Sequence, residues 1–214
     1  MKNLLAIIGL FGSLSHAWAC MPPDTLILMA SGELVPIHKI HAGREVKAFD
    51  PKIGQDVDDV VRTQVMWDIG SMYRIEISFP DHDGQNEVLF LTGAHYFVNK
   101  KKPGWESVSK TKVGDELRCF GNKTGTVVSI DEADYSGQVE KLPWKDEDEF
   151  EKDFYTYNLS IRNLPGYFIK RIGPHPVLVA ERTDLFGYYE RRRAESGRNG
   201  VGTRSPHTTG RTGP

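Results

Sequence analysis

Apolar residues along this chain come in short runs that alternate with polar ones, and turn residues separate the runs. "TLILM", "EVKAF", "MYRIEISF", "EVLFLT", "HYFVN", "ELRCF", "GTVVSI", "YTYNLSI", "GYFIK" and "PVLVA" are each rich in β-branched or aromatic side chains. Such residues fit a pleated, half-buried surface, and the Gly, Pro and Asp between them favour turns, so each run predicts a strand. No stretch sustains a helical period over several turns, and "SVSKTKVG" offers one turn at most. The expected class is all-β. The charged run "KDEDEFEKD", residues 145–153, reads as a solvated loop or short helix. Beyond Glu181 the pattern stops. Residues 182–214 hold one small apolar cluster at 185–189, and seven Arg stand against Asp184, Glu190 and Glu195. So polar a segment cannot bury enough apolar area to offset its ordering entropy. The expected organisation is a β domain over 20–181 and a basic, largely disordered tail over 182–214, with order lost from about Arg191.

Residues 26–49 and 97–120 are similar to each other at a spacing of 71. Ile37 aligns with Val108, Lys39 with Lys110, Gly43 with Gly114, Glu45 with Glu116, Val46 with Leu117 and Phe49 with Phe120. Both copies read strand, polar turn, short apolar stretch, Gly turn, strand. This predicts a duplicated β unit whose copies pack about a pseudo-twofold around one core. Cys20 leads into the first copy, and Thr92 and His95 lead into the second. If the entry points meet near the axis, a thiol faces a hydroxyl and an imidazole.

The first 19 residues have a different character. Lys2 gives a short positive start, residues 4–14 are almost wholly apolar, and Ala17 and Ala19 supply the small side chains of a signal peptidase site. A signal peptide over 1–19 predicts an exported protein, periplasmic or extracellular. The apolar run is too short for a stable membrane span, which takes about 20 residues. With 27 Lys and Arg against 29 Asp and Glu, the net charge of −2 gives no reason to expect nucleic acid as a partner. The only cysteines are Cys20 and Cys119. In an oxidising compartment they can pair, and Cys20 beside the cut can instead carry a lipid. A secreted, non-catalytic binding module or lipoprotein is therefore one reading of the chain.

Three segments resemble the Hint fold family, shared by inteins, hedgehog autoprocessing domains and bacterial intein-like domains. "CMPPDTLILMASGELVPIHKIHAGREVKAFD" is similar to its opening block, "LTGAHYFVN" to its T-x-x-H block, and "YTYNLSIRNLPGYFIKRIGPHPVLVA" to its closing strand pair. They stand in the family's order across nearly all of residues 20–180. The resemblance implies cysteine-driven cleavage of the chain's own backbone, with the N-terminal segment as substrate and neither cofactor nor metal. Cys20 would attack the Ala19 carbonyl and turn the amide into a thioester, which water or another nucleophile then opens. His95 suits the proton transfer, since imidazole changes charge near neutral pH. Thr92 would hydrogen-bond the carbonyl or fix the nitrogen's orientation, and Asn158 would support the cysteine site. The acyl acceptor and any protein partner are left open. Splicing members end the closing strand in His-Asn, whose carboxamide cyclises; here it ends in Ala180-Glu181. A carboxylate has no amide nitrogen for that step, so no splicing is expected. Either the domain removes its own leader, or signal peptidase does and leaves a free N-terminal aminothiol.

The other histidines read as surface or turn residues. His38 and His41 can share one face of a turn, where a solvated face is the simpler reading than a metal site. His82 lies in "DHDG", an incomplete calcium loop, and His175 lies in a loop between two prolines. Asn122 and Asn158 begin glycosylation sequons. Trp67, Trp105 and Trp144 are expected in or near the core.

Overall fold

The computed structural model describes residues 19–68, 71–133 and 155–199. In chain order these form β1 (Leu26–Leu28), β2 (Leu34–Pro36), β3 (Glu45–Asp50), β4 (Gln55–Asp68), β5 (Met72–Phe79), β6 (His82–Leu91) and β7 (His95–Val98). Then follow β8 (Trp105–Ser107), β9 (Glu116–Arg118), β10 (Thr124–Ala133), β11 (Tyr155–Ile161), β12 (Gly166–Lys170), β13 (Val177–Glu181) and a helix, α1 (Arg182–Asn199). The all-β expectation holds. One sheet has the order β11-β4-β3-β12-β13-β7-β8, with β1 joining β12 to β2, and a smaller sheet has the order β6-β5-β10-β9. Ile75, Ile77 and Leu89 of the small sheet share one core cluster with Ile27, Val46, Phe97, Ile169 and Val179 of the large one. β12 and β13 run through the middle of the large sheet and are covered on both faces. Phe168 and Leu178 pack in a second cluster, with Leu28 and Phe49. That double cover is why "PVLVA" is an unbroken apolar run rather than an alternating one.

The duplication is realised in the backbone. β2, the 3-10 turn Ile37–Lys39 and β3 are matched by β8, the 3-10 turn Val108–Lys110 and β9, which start 71 residues later. Gly43 and Gly114 both sit at φ 90, a left-handed conformation that glycine adopts without a Cβ penalty. Each then donates its N–H across at 2.8 Å, to the Val61 and Val127 carbonyls respectively.

Glu87 of β6 is a buried acid that locks the loop between β12 and β13. Its Oε1 accepts the N–H groups of Arg171 at 2.7 Å and Ile172 at 3.0 Å, and its Oε2 accepts that of Gly173 at 2.8 Å. Asp24 adds a 2.6 Å ion pair with the Arg171 guanidinium.

The expected tail is corrected over its first part, because Arg182–Asn199 is helical. Glu181 caps the helix, its Oε2 accepting the Asp184 N–H at 3.1 Å, and Leu185 and Tyr188 are buried one turn apart. That small apolar cluster and a side-chain cap suffice to dock a helix that leaves Phe186 and Tyr189 exposed. The leader, the charged run at 145–153 with Trp144, and residues 200–214 lie outside the described residues, as does the Trp67 side chain. Trp105 is half-buried against the second cluster. Among the described residues no helix is long and apolar enough to cross a membrane.

Candidate active site

The chain enters the fold by pairing with β11. Met21 and Tyr157 exchange both backbone hydrogen bonds at 2.8 Å. Continued by one residue, that register sets Cys20 across from Asn158. On its other side Cys20 meets the turn that follows β6. The Thr92 N–H donates to the Cys20 carbonyl at 3.0 Å, and the Cys20 N–H donates to Thr92 Oγ1 at 2.9 Å. The nitrogen of the Ala19–Cys20 peptide bond is thus held by a hydroxyl 72 residues away in sequence. The bond itself is inside the protein, with Ala19 1% and Cys20 3% exposed.

His95 closes the Thr92 turn, its N–H donating to the Thr92 carbonyl at 3.2 Å, and then opens β7. Gly93 lets this turn pass close to Tyr73 and Ser109, whose atoms would stand 3.2 and 3.3 Å from any Cβ there. The His95 ring is fully buried, and neither nitrogen makes a hydrogen bond of good geometry among the described residues. Burial drives its pKa down to about 3, against a smaller upward pull from the Thr92 backbone, so the imidazole is neutral at pH 7. β7 pairs with β13 so that His95 is opposite Glu181, which places the two side chains on one face of neighbouring strands.

The Cys20 thiol is pushed up to about 11, first by burial and further by the Glu181 carboxylate, while a hydrogen bond with Thr156 pulls it down. Thr156, Asn158 and Ser160 share one face of β11, and each meets a side chain from another element. Thr156 meets Cys20; Asn158 Oδ1 accepts from the Tyr167 hydroxyl at 3.1 Å; the Ser160 hydroxyl donates to Asp184 Oδ1 at 2.6 Å. Burial holds the Tyr167 phenol well above its ordinary range. Burial also raises Asp184 to about 6, although the Ile161 N–H and the Arg62 guanidinium both reach its carboxylate.

With this geometry the domain can be set beside known structures. A bacterial intein-like domain from Clostridium thermocellum is similar with a TM-score of 0.58 at 23% identity, over 76% of this chain and 98% of that one. A DnaB intein from Synechocystis sp. PCC 6803 gives 0.55 at 15% identity, over 76% and 98%. The TvoVMA intein gives 0.52 at 16% identity, over 75% and 96%. The chain has the Hint fold. No family profile matches the sequence, and no curated protein does. The Hint fold is what brings the leads into both β copies to one place.

Of the residues expected from sequence, Thr92 touches Cys20 directly, and His95 joins it through Thr92 and beside Glu181. Asn158 lies across the strands, bonded to Tyr167 rather than to the cysteine. Thr156, Tyr167, Glu181 as a charge near the thiol, and Asp184 were not anticipated. For Thr156 a signal existed: "YTYNLSI" is polar at every second position, and all three polar residues, Thr156, Asn158 and Ser160, prove buried. Asp184 stands three residues after Glu181, the spacing of a helix-start box. Tyr167 carried none. The expected alternative of a Cys20–Cys119 disulfide is corrected, because both thiols are free and buried. Cys119 is held up to about 12 by burial, and its Sγ lies 3.7 Å from the Leu117 carbonyl. His38 is tied to the Pro23 carbonyl at 2.8 Å and His41 is exposed, so they do not form a ligand pair. Among the described residues, the three side chains placed to share a metal ion are Asp81, His82 and His175, none of which belongs to the Cys20 site.

Proposed function

We propose that this chain is an exported self-processing domain in which Cys20 cleaves the peptide bond behind it. The observation that carries this reading is the hydrogen bond from the Cys20 N–H to Thr92 Oγ1 at 2.9 Å. It orients the leaving nitrogen of the one bond that the Cys20 sulfur can reach through a five-membered ring. The sulfur bonds to the Ala19 carbonyl carbon, the carbon–nitrogen bond breaks, and the thiol proton ends on the freed amine. A thioester and an N-terminal Cys20 amine remain. Water opens the thioester, releasing the preceding segment as an acid and restoring the thiol. A thiol near 11 is ionised in roughly one molecule in 10⁴ at pH 7, so its proton must leave as the sulfur attacks. Neutral His95 serves as the relay, taking a proton at one nitrogen and giving one from the other. Thr156 steadies the developing thiolate. At the other end β13 runs straight into α1 and Glu181 is occupied as its cap, which supports cleavage without splicing.

The test is a passenger protein fused ahead of Ala19, expressed where signal peptidase is absent. The expected products are the free passenger and a domain beginning at Cys20, with hydroxylamine accelerating release. Cys20→Ala should leave the fusion intact. The same products from wild type and Cys20→Ala would overturn the reading.

A further inference from the structure

On the side of the molecule where the β5–β6 turn meets the β12–β13 loop, two imidazoles and a carboxylate converge. Asp81 comes from the turn, His82 from the first position of β6, and His175 from the loop. His175 Nε2 lies 3.0 Å from both Asp81 oxygens, although the residues are 94 apart in sequence. His82 Nδ1 lies 3.5 Å from Asp81 Oδ1. One donor atom from each residue lies within 4.8 Å of the other two. An ion bound tetrahedrally at about 2.0–2.1 Å to nitrogen and oxygen separates neighbouring donors by about 3.4 Å. The observed separations lie on both sides of that figure, so small side-chain adjustments complete the geometry.

The loop is fixed in advance rather than gathered by the ion. Glu87 holds its three N–H groups, and Gly173 passes so close that a Cβ would stand 2.6 Å from Glu87 Cα. Pro174 and Pro176 flank His175, and Phe79 packs edge-on against its ring with centroids 5.1 Å apart. His82 meets the same ring at 5.1 Å. The Lys123 ammonium, 2.7 Å from Asp81 Oδ2, stands where a cation already balances the carboxylate.

We infer that Asp81, His82 and His175 form a binding site for a divalent transition-metal ion of the zinc type. Two imidazoles beside one carboxylate favour Zn²⁺, Ni²⁺ or Cu²⁺ over Mg²⁺ and Ca²⁺, which prefer all-oxygen sets. Water fills the remaining positions, since the site is open to solvent. The ion ties a turn of the small sheet to a loop of the large one, so its binding reads out as stability. Metal binding here needs neither Cys20 nor His95 and stands or falls apart from the cleavage reaction.

The experiment titrates ZnCl₂ into the full chain carrying Cys20→Ala, which removes the thiol as a rival ligand. Calorimetry and thermal melting are the two readouts. One equivalent of Zn²⁺ should bind and raise the Tm, with no effect from Mg²⁺. His175→Ala should weaken binding by at least about tenfold and abolish the Tm rise. His82→Gln, at an exposed position, should do the same. Lys123→Met should tighten binding, because it frees Asp81 from a competing cation. Equal affinity and equal Tm shifts in the parent and both histidine variants, or no binding at micromolar Zn²⁺, would overturn the site.

Discussion

Cys20 is an acid made weaker by its surroundings, and one of the causes is a removable charge. Glu181 pushes the thiol up while Thr156 pulls it down. Glu181→Gln keeps an oxygen to cap α1 but deletes the charge. The pH profile of Cys20 alkylation by iodoacetamide should then move to lower pH, by about half a unit to one unit. Thr156→Val should move it the other way. An unchanged profile in Glu181→Gln would show that the carboxylate is not electrostatically coupled to the sulfur. The meeting of Cys20 with the Thr92–His95 turn was legible in the sequence because these residues lead into the two repeats and stand in the blocks that resemble the Hint fold. Thr156 and Tyr167 matter only through contacts made by strands distant in sequence, and nothing local to "GYFIK" announces that its phenol reaches Asn158.

Among the elements, the β12–β13 hairpin carries the most constraint. A Cβ at Gly166 would run into the Val179 carbonyl and stand 2.8 Å from the Trp105 ring. Gly166→Ala should cost about 1–3 kcal/mol in urea denaturation, because neither backbone nor indole can give way cheaply. Glu87→Gln keeps one acceptor oxygen for three N–H groups, and an unpaired buried donor costs about 1–3 kcal/mol. That variant should be destabilised by about 2 kcal/mol or more. The strands themselves were readable from composition, since β-branched and aromatic runs between Gly and Pro turns admit few other structures. α1 was hidden for a physical reason. Its sequence has poor average hydrophobicity, and only Leu185, Tyr188 and the Glu181 cap hold it, contacts that exist once β13 is in place.

For the whole molecule, acid is the revealing variable. His95 is held neutral down to about 3, whereas an unfolded histidine takes up its proton near 6.5. Below that pH the unfolded chain binds a proton that the folded chain refuses, so this contribution to stability is complete above about 6.5 and is lost as the pH falls toward 3. Asp184, raised to about 6, acts with the opposite sign, because its folded form gains a proton before the unfolded one does. Comparing wild type with His95→Gln isolates the histidine. Between pH 7 and pH 4 the balance should shift toward the variant by about 1.4 kcal/mol for each unit below 6.5. A constant difference across that range would mean that water reaches the ring. At this scale the repeat spaced by 71 residues gave away the architecture, since equal spacing of turns implies equal units. The insertion of β12 and β13 between β3 and β7 was not readable, because strand neighbours so far apart in sequence leave no local trace.

The burial of Ala19 and Cys20 turns cleavage of the bond between them into a matter of timing. A protease needs accessible backbone around its target, and in the folded domain Ala19 and Cys20 are buried. Any foreign enzyme that cuts here must therefore arrive while the polypeptide is still emerging or being threaded. Once the two β copies close, only chemistry supplied from within can reach that junction. Under the proposed self-cleavage, slowing or hastening folding should thus decide whether a foreign protease or the domain itself cuts at this bond.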